Sequence, residues 1–149
     1  MRCVLQRVSR ARVTVAGEVV GEIGLGLAVL VGVAAGDTQA DIEYTASKIR
    51  DVRIFTDPDG RMNRSLADVG GAALLVPQFT LLGDARTGRR PAFDAAEKPE
   101  AAADLFDRLC AAVRSAGVPV ATGRFRATMS VEIANEGPVT ILLDSRKVF

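Results

Sequence analysis

Gln78-Phe79-Thr80 is the first place in this chain where side chains able to do chemistry stand at a fixed spacing. The triplet follows an apolar run, 72–76, that reads as a buried strand. On a continuing strand Gln78 and Thr80 share a face, either as hydrogen-bonded core groups or as groups of a site. A threonine hydroxyl can attack an acyl carbon, but it needs a base to take its proton. The chain has no histidine, which excludes an imidazole base and with it a Ser-His-Asp triad. Acid–base work is left to carboxylates, hydroxyls, backbone groups or the substrate itself.

The second candidate is Asn135-Glu136-Gly137-Pro138-Val139-Thr140. A Gly-Pro pair between two strands holds the backbone tightly, its bond can be cis, and it can present carbonyl oxygens as rigid acceptors. A plain hairpin turn is the competing reading. A third candidate is the basic knot Arg86, Arg89 and Arg90 in the polar loop 83–93, since the arginine fork suits phosphate.

Other patterns carry less. Gly21, Gly24 and Gly26 run G-x-x-G-x-G, which does not fit the dinucleotide fingerprint, and no helix opens there. They read as turn and close-packing glycines. Asp57-Pro58-Asp59-Gly60 lacks a following ligand ladder and reads as a turn. Only Cys3 and Cys110 are present, too few for the usual zinc sites, and they read as buried thiols of a reducing compartment. No metal or cofactor site is expected.

The elements that must position these residues follow from periodicity. Strand alternation covers 2–8 and 12–15, and a turn at 16–18 leads into a strand at 19–23. The run 25–33 reads as a central strand buried on both faces. Asp37 or Thr38 caps a helix over 38–52, with Ile42, Ala46, Ile49 and Val52 on one stripe. A short strand at 53–55 precedes the 57–60 turn, and Pro99 opens a second helix that Gly117 ends. Strands at 118–122, 129–134 and 138–143 complete the chain. Two main helices and about eight strands, with hairpins first and last, predict a single α+β domain over 1–149 with a mostly antiparallel or mixed, barrel-like sheet.

The chain has 149 residues, 48% of them apolar and 25% charged, with a net charge of +1. That balance excludes a disordered chain and a polycation that coats nucleic acid non-specifically. The most apolar stretch, 25–35, is far too short to span a membrane. The opening residues run into a strand pattern without a signal-peptide apolar block, so a cytoplasmic location is expected.

Taken together, the segments resemble the D-aminoacyl-tRNA deacylases, formerly described as D-tyrosyl-tRNA deacylases. The match runs in order through Gln6-Arg7-Val8, Lys48-Ile49, Arg53-Ile54-Phe55, Gln78-Phe79-Thr80-Leu81, Gly88, Arg90-Pro91, Gly123, Phe125, Met129, Asn135 and Gly137-Pro138-Val139-Thr140. The resemblance implies a homodimer with active sites at the interface and hydrolysis of the ester between a D-amino acid and the terminal adenosine of tRNA. It also implies some action on glycyl-tRNA, no cofactor and no role for DNA. Gly137-Pro138 would be cis and reach into the partner's pocket, its carbonyls rejecting an L side chain. Arg7 would brace this loop, Met129 would line the pocket, and Asn135 belongs to the same motif.

The resemblance further implies that the Phe79 and Thr80 amides hold the developing oxyanion, with Gln78 beside them. Either Thr80 attacks the ester, or the tRNA's own 2′-hydroxyl assists water; the lack of histidine favours the second. Three positions depart from the family pattern. Pro77 stands where Ser is usual, Glu136 where Asp is common, and Arg126 where Gly is usual. The rival readings are a non-catalytic nucleic-acid-binding dimer and a general small-ester hydrolase using Thr80 as nucleophile.

Overall fold

The computed structural model describes residues 1–149. β1, Arg2–Val15, and β2, Glu18–Ile23, form an antiparallel hairpin. Its turn residues Ala16 and Gly17 have φ of 49° and 80°, the left-handed pair that matches strand twist. β3, Gly26–Gly32, returns antiparallel to the first half of β1. α1, Gln39–Asp51, is capped by Thr38, whose N–H donates to the Asp41 carboxylate at 2.8 Å. Asp37 does other work: it accepts from the Met1 ammonium at 2.7 Å, the Ala34 amide at 2.8 Å and Arg146 at 2.9 Å.

β4, Phe55–Thr56, and β5, Met62–Arg64, make a small hairpin. Asp57 closes its turn by accepting from the Asp59 and Arg61 amides, each at 2.9 Å. After the short α2, Leu66–Val69, comes β6, Ala72–Pro77, parallel to β3. α3, Pro99–Ser115, starts on its proline, and β7, Val120–Thr122, adds parallel to β6. β8, Ser130–Asp144, runs antiparallel along the whole of β1 and pairs with no other strand.

Three expectations are corrected here. The pieces 2–8 and 12–15 are one strand, because β3 and β2 take turns along one edge of β1 while β8 covers the other. The strand expected at 53–55 is shifted to 55–56. The pieces 129–134 and 138–143 are also one strand, since both halves pair in the same direction with β1.

Central strands are apolar on both faces because each face meets a different core. Leu27, Val29, Val31, Ala73 and Leu75 pack with Ile42 and Ile49 of α1 and Phe106, Leu109 and Val113 of α3. The opposite faces, with Ala28, Leu74 and Val76, meet Val8, Val13 and Ile23 inside a nearly closed barrel. β2 and β7 approach across the gap, where Gly21 lies against the Thr122 carbonyl. Both cysteines are free and buried, and burial pushes their thiols up to about 12 for Cys3 and about 11 for Cys110, which leaves them unreactive.

Candidate functional site

Gln78, Phe79 and Thr80 do not continue the strand. β6 ends at Pro77, and residues Phe79–Leu82 form a single 3₁₀ turn. The last ladder bond is from the Gln78 amide to the Val31 carbonyl at 2.7 Å. Beyond it the turn folds onto β3 at Gly32, where a Cβ would lie 3.0 Å from Leu81 Cβ and 3.1 Å from the Gln78 oxygen. Gln78 and Thr80 therefore do not share a strand face. What the turn provides instead is backbone: the Phe79 and Thr80 amides open a helix, where N–H groups have no intrahelical partner, and neither donates elsewhere. The Thr80 side chain is exposed and no base is hydrogen-bonded to its hydroxyl. Arg2 steadies the turn, donating to the Leu81 carbonyl at 3.2 Å while its Nε reaches Asp144 at 3.1 Å.

Beside this turn lies a cavity of about 440 Å³, lined by Pro77, Gln78 and Phe79 on one side and by Phe106 of α3 and Phe125 on the other. Phe93 closes it by packing edge-on against Phe79, with ring centroids 5.0 Å apart. Sequence patterning missed Phe93, Glu97 and Lys98, because residues at the end of a polar loop carry no periodicity. Met129 does not line the cavity. It packs on the barrel interior, and its sulfur accepts from the Arg124 amide at 3.3 Å beneath the 123–128 turn. No group of three His, Cys, Asp or Glu side chains is placed to hold a metal ion.

The Asn135–Thr140 segment is a strand bulge, not a hairpin turn. Asn135 pairs with Val8 and Thr140 with Gln6, so Glu136, Gly137, Pro138 and Val139 face the single residue Arg7. The Gly137–Pro138 peptide is cis, and both residues are exposed. Asn135 spans the base of the bulge: its Oδ1 accepts from the Val139 amide at 2.9 Å and its Nδ2 donates to Thr140 at 3.1 Å. Arg7 braces it by donating to the Glu136 carbonyl at 2.9 Å and to the Ile54 carbonyl at 2.7 Å.

One chain does not bring bulge and cavity together. The bulge sits at the level of Leu27 on β3, whereas the cavity sits at Val31, on the strand beside Pro77. Four residues of strand separate those levels by roughly 13 Å, and β8 lies on the far side of β1 from β6.

The basic loop is closed at its neck by paired amides and carbonyls of Asp84 and Ala92, both at 2.8 Å. Arg86 folds back on Asp84 through several hydrogen bonds, which hold that carboxyl down at about 2. Arg89 and Arg90 are exposed at the tip and form no ion pair.

A family profile described as D-Tyr-tRNA(Tyr) deacylase matches residues 4–144. A protein of Symbiobacterium thermophilum named D-aminoacyl-tRNA deacylase is 55% identical over 149 residues, covering 100% of this chain and 99% of that one. One of the same name from Chloroflexus aurantiacus is 57% identical over 148 residues, covering 99% and 92%. Among solved structures, one titled c-Myc DNA Unwinding Element Binding Protein superposes with a TM-score of 0.92 at 39% identity, covering 97% and 98% of the two chains. A probable eukaryotic D-amino acid tRNA deacylase shares the fold, with a TM-score of 0.82 at 23% identity over 95% and 97%. With the profile spanning nearly every residue and relatives above half identity end to end, the chain belongs to the D-Tyr-tRNA(Tyr) deacylase family.

Proposed function

We propose that this chain hydrolyses the ester joining a D-amino acid, or glycine, to the terminal adenosine of tRNA, acting in the cytoplasm without a cofactor. The observation that carries the reading is the pair of unpaired backbone amides at Phe79 and Thr80, in the turn whose Phe79 lines an apolar cavity. Two such donors are what a developing oxyanion requires. The cavity, of about 440 Å³ with Phe79, Phe93 and Phe125 in its wall, is of a size and character to take a terminal nucleoside.

The bulge supplies the filter. Exposed carbonyls around Gly137-Pro138 sit in a rigid frame and leave room for hydrogen but not for an L side chain, which is selection by exclusion. Because the bulge stands apart from its own cavity, a second copy of the chain supplies it, and the unpaired edge of β8 is open to that copy. The test is deacylation of D-Tyr-tRNA and L-Tyr-tRNA in parallel, without added metal. Loss of the D-ester alone is expected. Cleavage of both would remove the filter, and cleavage of neither would remove the enzyme.

In the latter case the second reading gains, a nucleic-acid-binding dimer without catalysis. It is favoured by the 39% identity to a structure titled for DNA binding.

Thr80 positions the substrate in this reading, and the 2′-hydroxyl of the terminal ribose assists the attacking water. Thr80→Ala is expected to keep its single-turnover rate within about threefold, whereas loss of a true nucleophile costs on the order of 10⁴-fold or more. A loss of that size in a folded variant would make Thr80 the nucleophile and turn the reading toward a general esterase.

The basic loop contacts phosphate through Arg89 and Arg90, with Arg86 bracing it. Replacing Arg89 and Arg90 by Ala is expected to raise KM and to reduce its salt slope by about 0.7 per lost contact. Arg86→Ala is expected to leave the slope nearly unchanged, since that guanidinium is already matched by Asp84. Equal slopes for all three variants would take the loop off the binding surface.

A further inference from the structure

The mouth of the cavity holds an arginine that the fold does not explain. Arg126 has φ of 58°, in the left-handed region that side chains with a Cβ avoid. Its only ion pair is a 3.9 Å approach to Glu100, with the two side chains 66% and 81% exposed, too loose and too wet to compensate. A strained residue at a site's rim points to a role there.

Two cations line the cavity, Arg126 and Lys98, and the Lys98 ammonium is in no ion pair. The one carboxylate in the lining, Glu97, accepts from the Gly36 amide at 3.0 Å and the Lys98 amide at 2.8 Å. It is therefore committed to backbone. Apart from Gln78, the rest of the lining is apolar.

Building on the proposed reading, we infer that Arg126 and Lys98 grip the phosphodiester on the 5′ side of the terminal nucleoside as its base and ribose enter the cavity. The guanidinium leaves Glu100 for a phosphate, a better partner for its fork. Arg126 is thus a binding residue for the single-stranded end of the tRNA, and its contact does not depend on the aminoacyl group.

The test compares two substrates that differ in that phosphate, D-Tyr-tRNA and 3′-O-D-tyrosyl-adenosine. For Arg126→Gly, KM for D-Tyr-tRNA is expected to rise about 5- to 10-fold at unchanged kcat, with the salt slope falling by about 0.7. Lys98→Ala behaves alike, and Arg126→Lys retains most of the slope. On tyrosyl-adenosine the variants match wild type, and the melting temperature of Arg126→Gly is unchanged or higher, because glycine tolerates the left-handed turn. Equal weakening on both substrates would assign Arg126 to the nucleoside or the aminoacyl group and overturn the inference. So would an unchanged KM and slope on tRNA. A wild type inactive on both substrates would instead remove the functional reading, and the inference with it.

Discussion

Gly137→Ala is expected to slow deacylation of D-Tyr-tRNA by about 100-fold while the protein stays folded. At φ of 136° the backbone lies where an L residue is strained, and a Cβ would stand 2.8 Å from Arg7 Nη2, 2.8 Å from Val139 Cγ2 and 3.1 Å from the Val139 amide nitrogen. Arg7 cannot simply swing aside, because it is held by the Glu136 and Ile54 carbonyls. The bulge must therefore move as a unit. Strain of this kind costs about 1–3 kcal/mol, a few degrees of melting temperature for a chain this long, whereas a misplacement of about 1 Å at a reacting centre costs about 10²-fold in rate. Single-turnover rates on D- and L-Tyr-tRNA, with circular dichroism for the fold, make the measurement. A variant with the wild-type rate and the wild-type D/L ratio would acquit Gly137.

The same variant tests whether the filter is lent between copies. A hybrid of Gly137→Ala with Phe79→Ala has one site built from an intact cavity and an intact bulge if the bulge acts on the partner. Activity restored on mixing is the expected result. If each bulge served its own cavity, both sites in the hybrid would stay damaged.

How much of this was legible in the sequence depends on the range of the interaction involved. The runs 25–33 and 72–76 announced strands buried on two faces, and the stripe through Ile42 and Ile49, with Pro99 and Gly117 bounding a second helix, announced the helices that cover them. The 3₁₀ turn was not foreseen, although a signal was present: Pro77 cannot donate to a ladder, and proline argues against a continuing central strand. The alternation stops at Pro77 and does not reach Thr80. The unity of β8 could not be read locally, because only its pairing with β1 shows that the residues before and after the bulge share one direction. The Gly-Pro pair marks the segment Asn135–Thr140 in the sequence itself, its roles come from the resemblance, and its frame from the structure: four residues opposed to Arg7, with Asn135 tying the base. Phe93 and Lys98 came into view only when the loop 83–98 folded over the cavity.

The glycines that invited a nucleotide loop make the sharpest stability test. Gly26→Ala is expected to destabilise the fold by about 3 kcal/mol or more, and Gly24→Ala by less than about 0.5 kcal/mol. The residues are two apart in one turn-to-strand segment, so local propensity barely separates them. Their surroundings do. A Cβ on Gly26 would overlap the Ala72 carbonyl oxygen and lie 2.8 Å from its carbon and 2.9 Å from the Ala72 nitrogen, while one on Gly24 meets nothing within 4 Å. Backbone cannot rotate away as a side chain can, so β3 and β6 must part where they begin their parallel ladder. That ladder ends at Val31 and Pro77, the pair from which the Phe79 and Thr80 amides are aimed. Loss of register at Gly26 should therefore reach the site at the ladder's other end, lowering deacylation as well as melting temperature, while Gly24→Ala leaves both alone. Urea titration of the two variants beside wild type measures the difference directly. Equal stabilities would mean that the strands tolerate separation at Ala72, and the close-packing account of Gly26 would have to be abandoned.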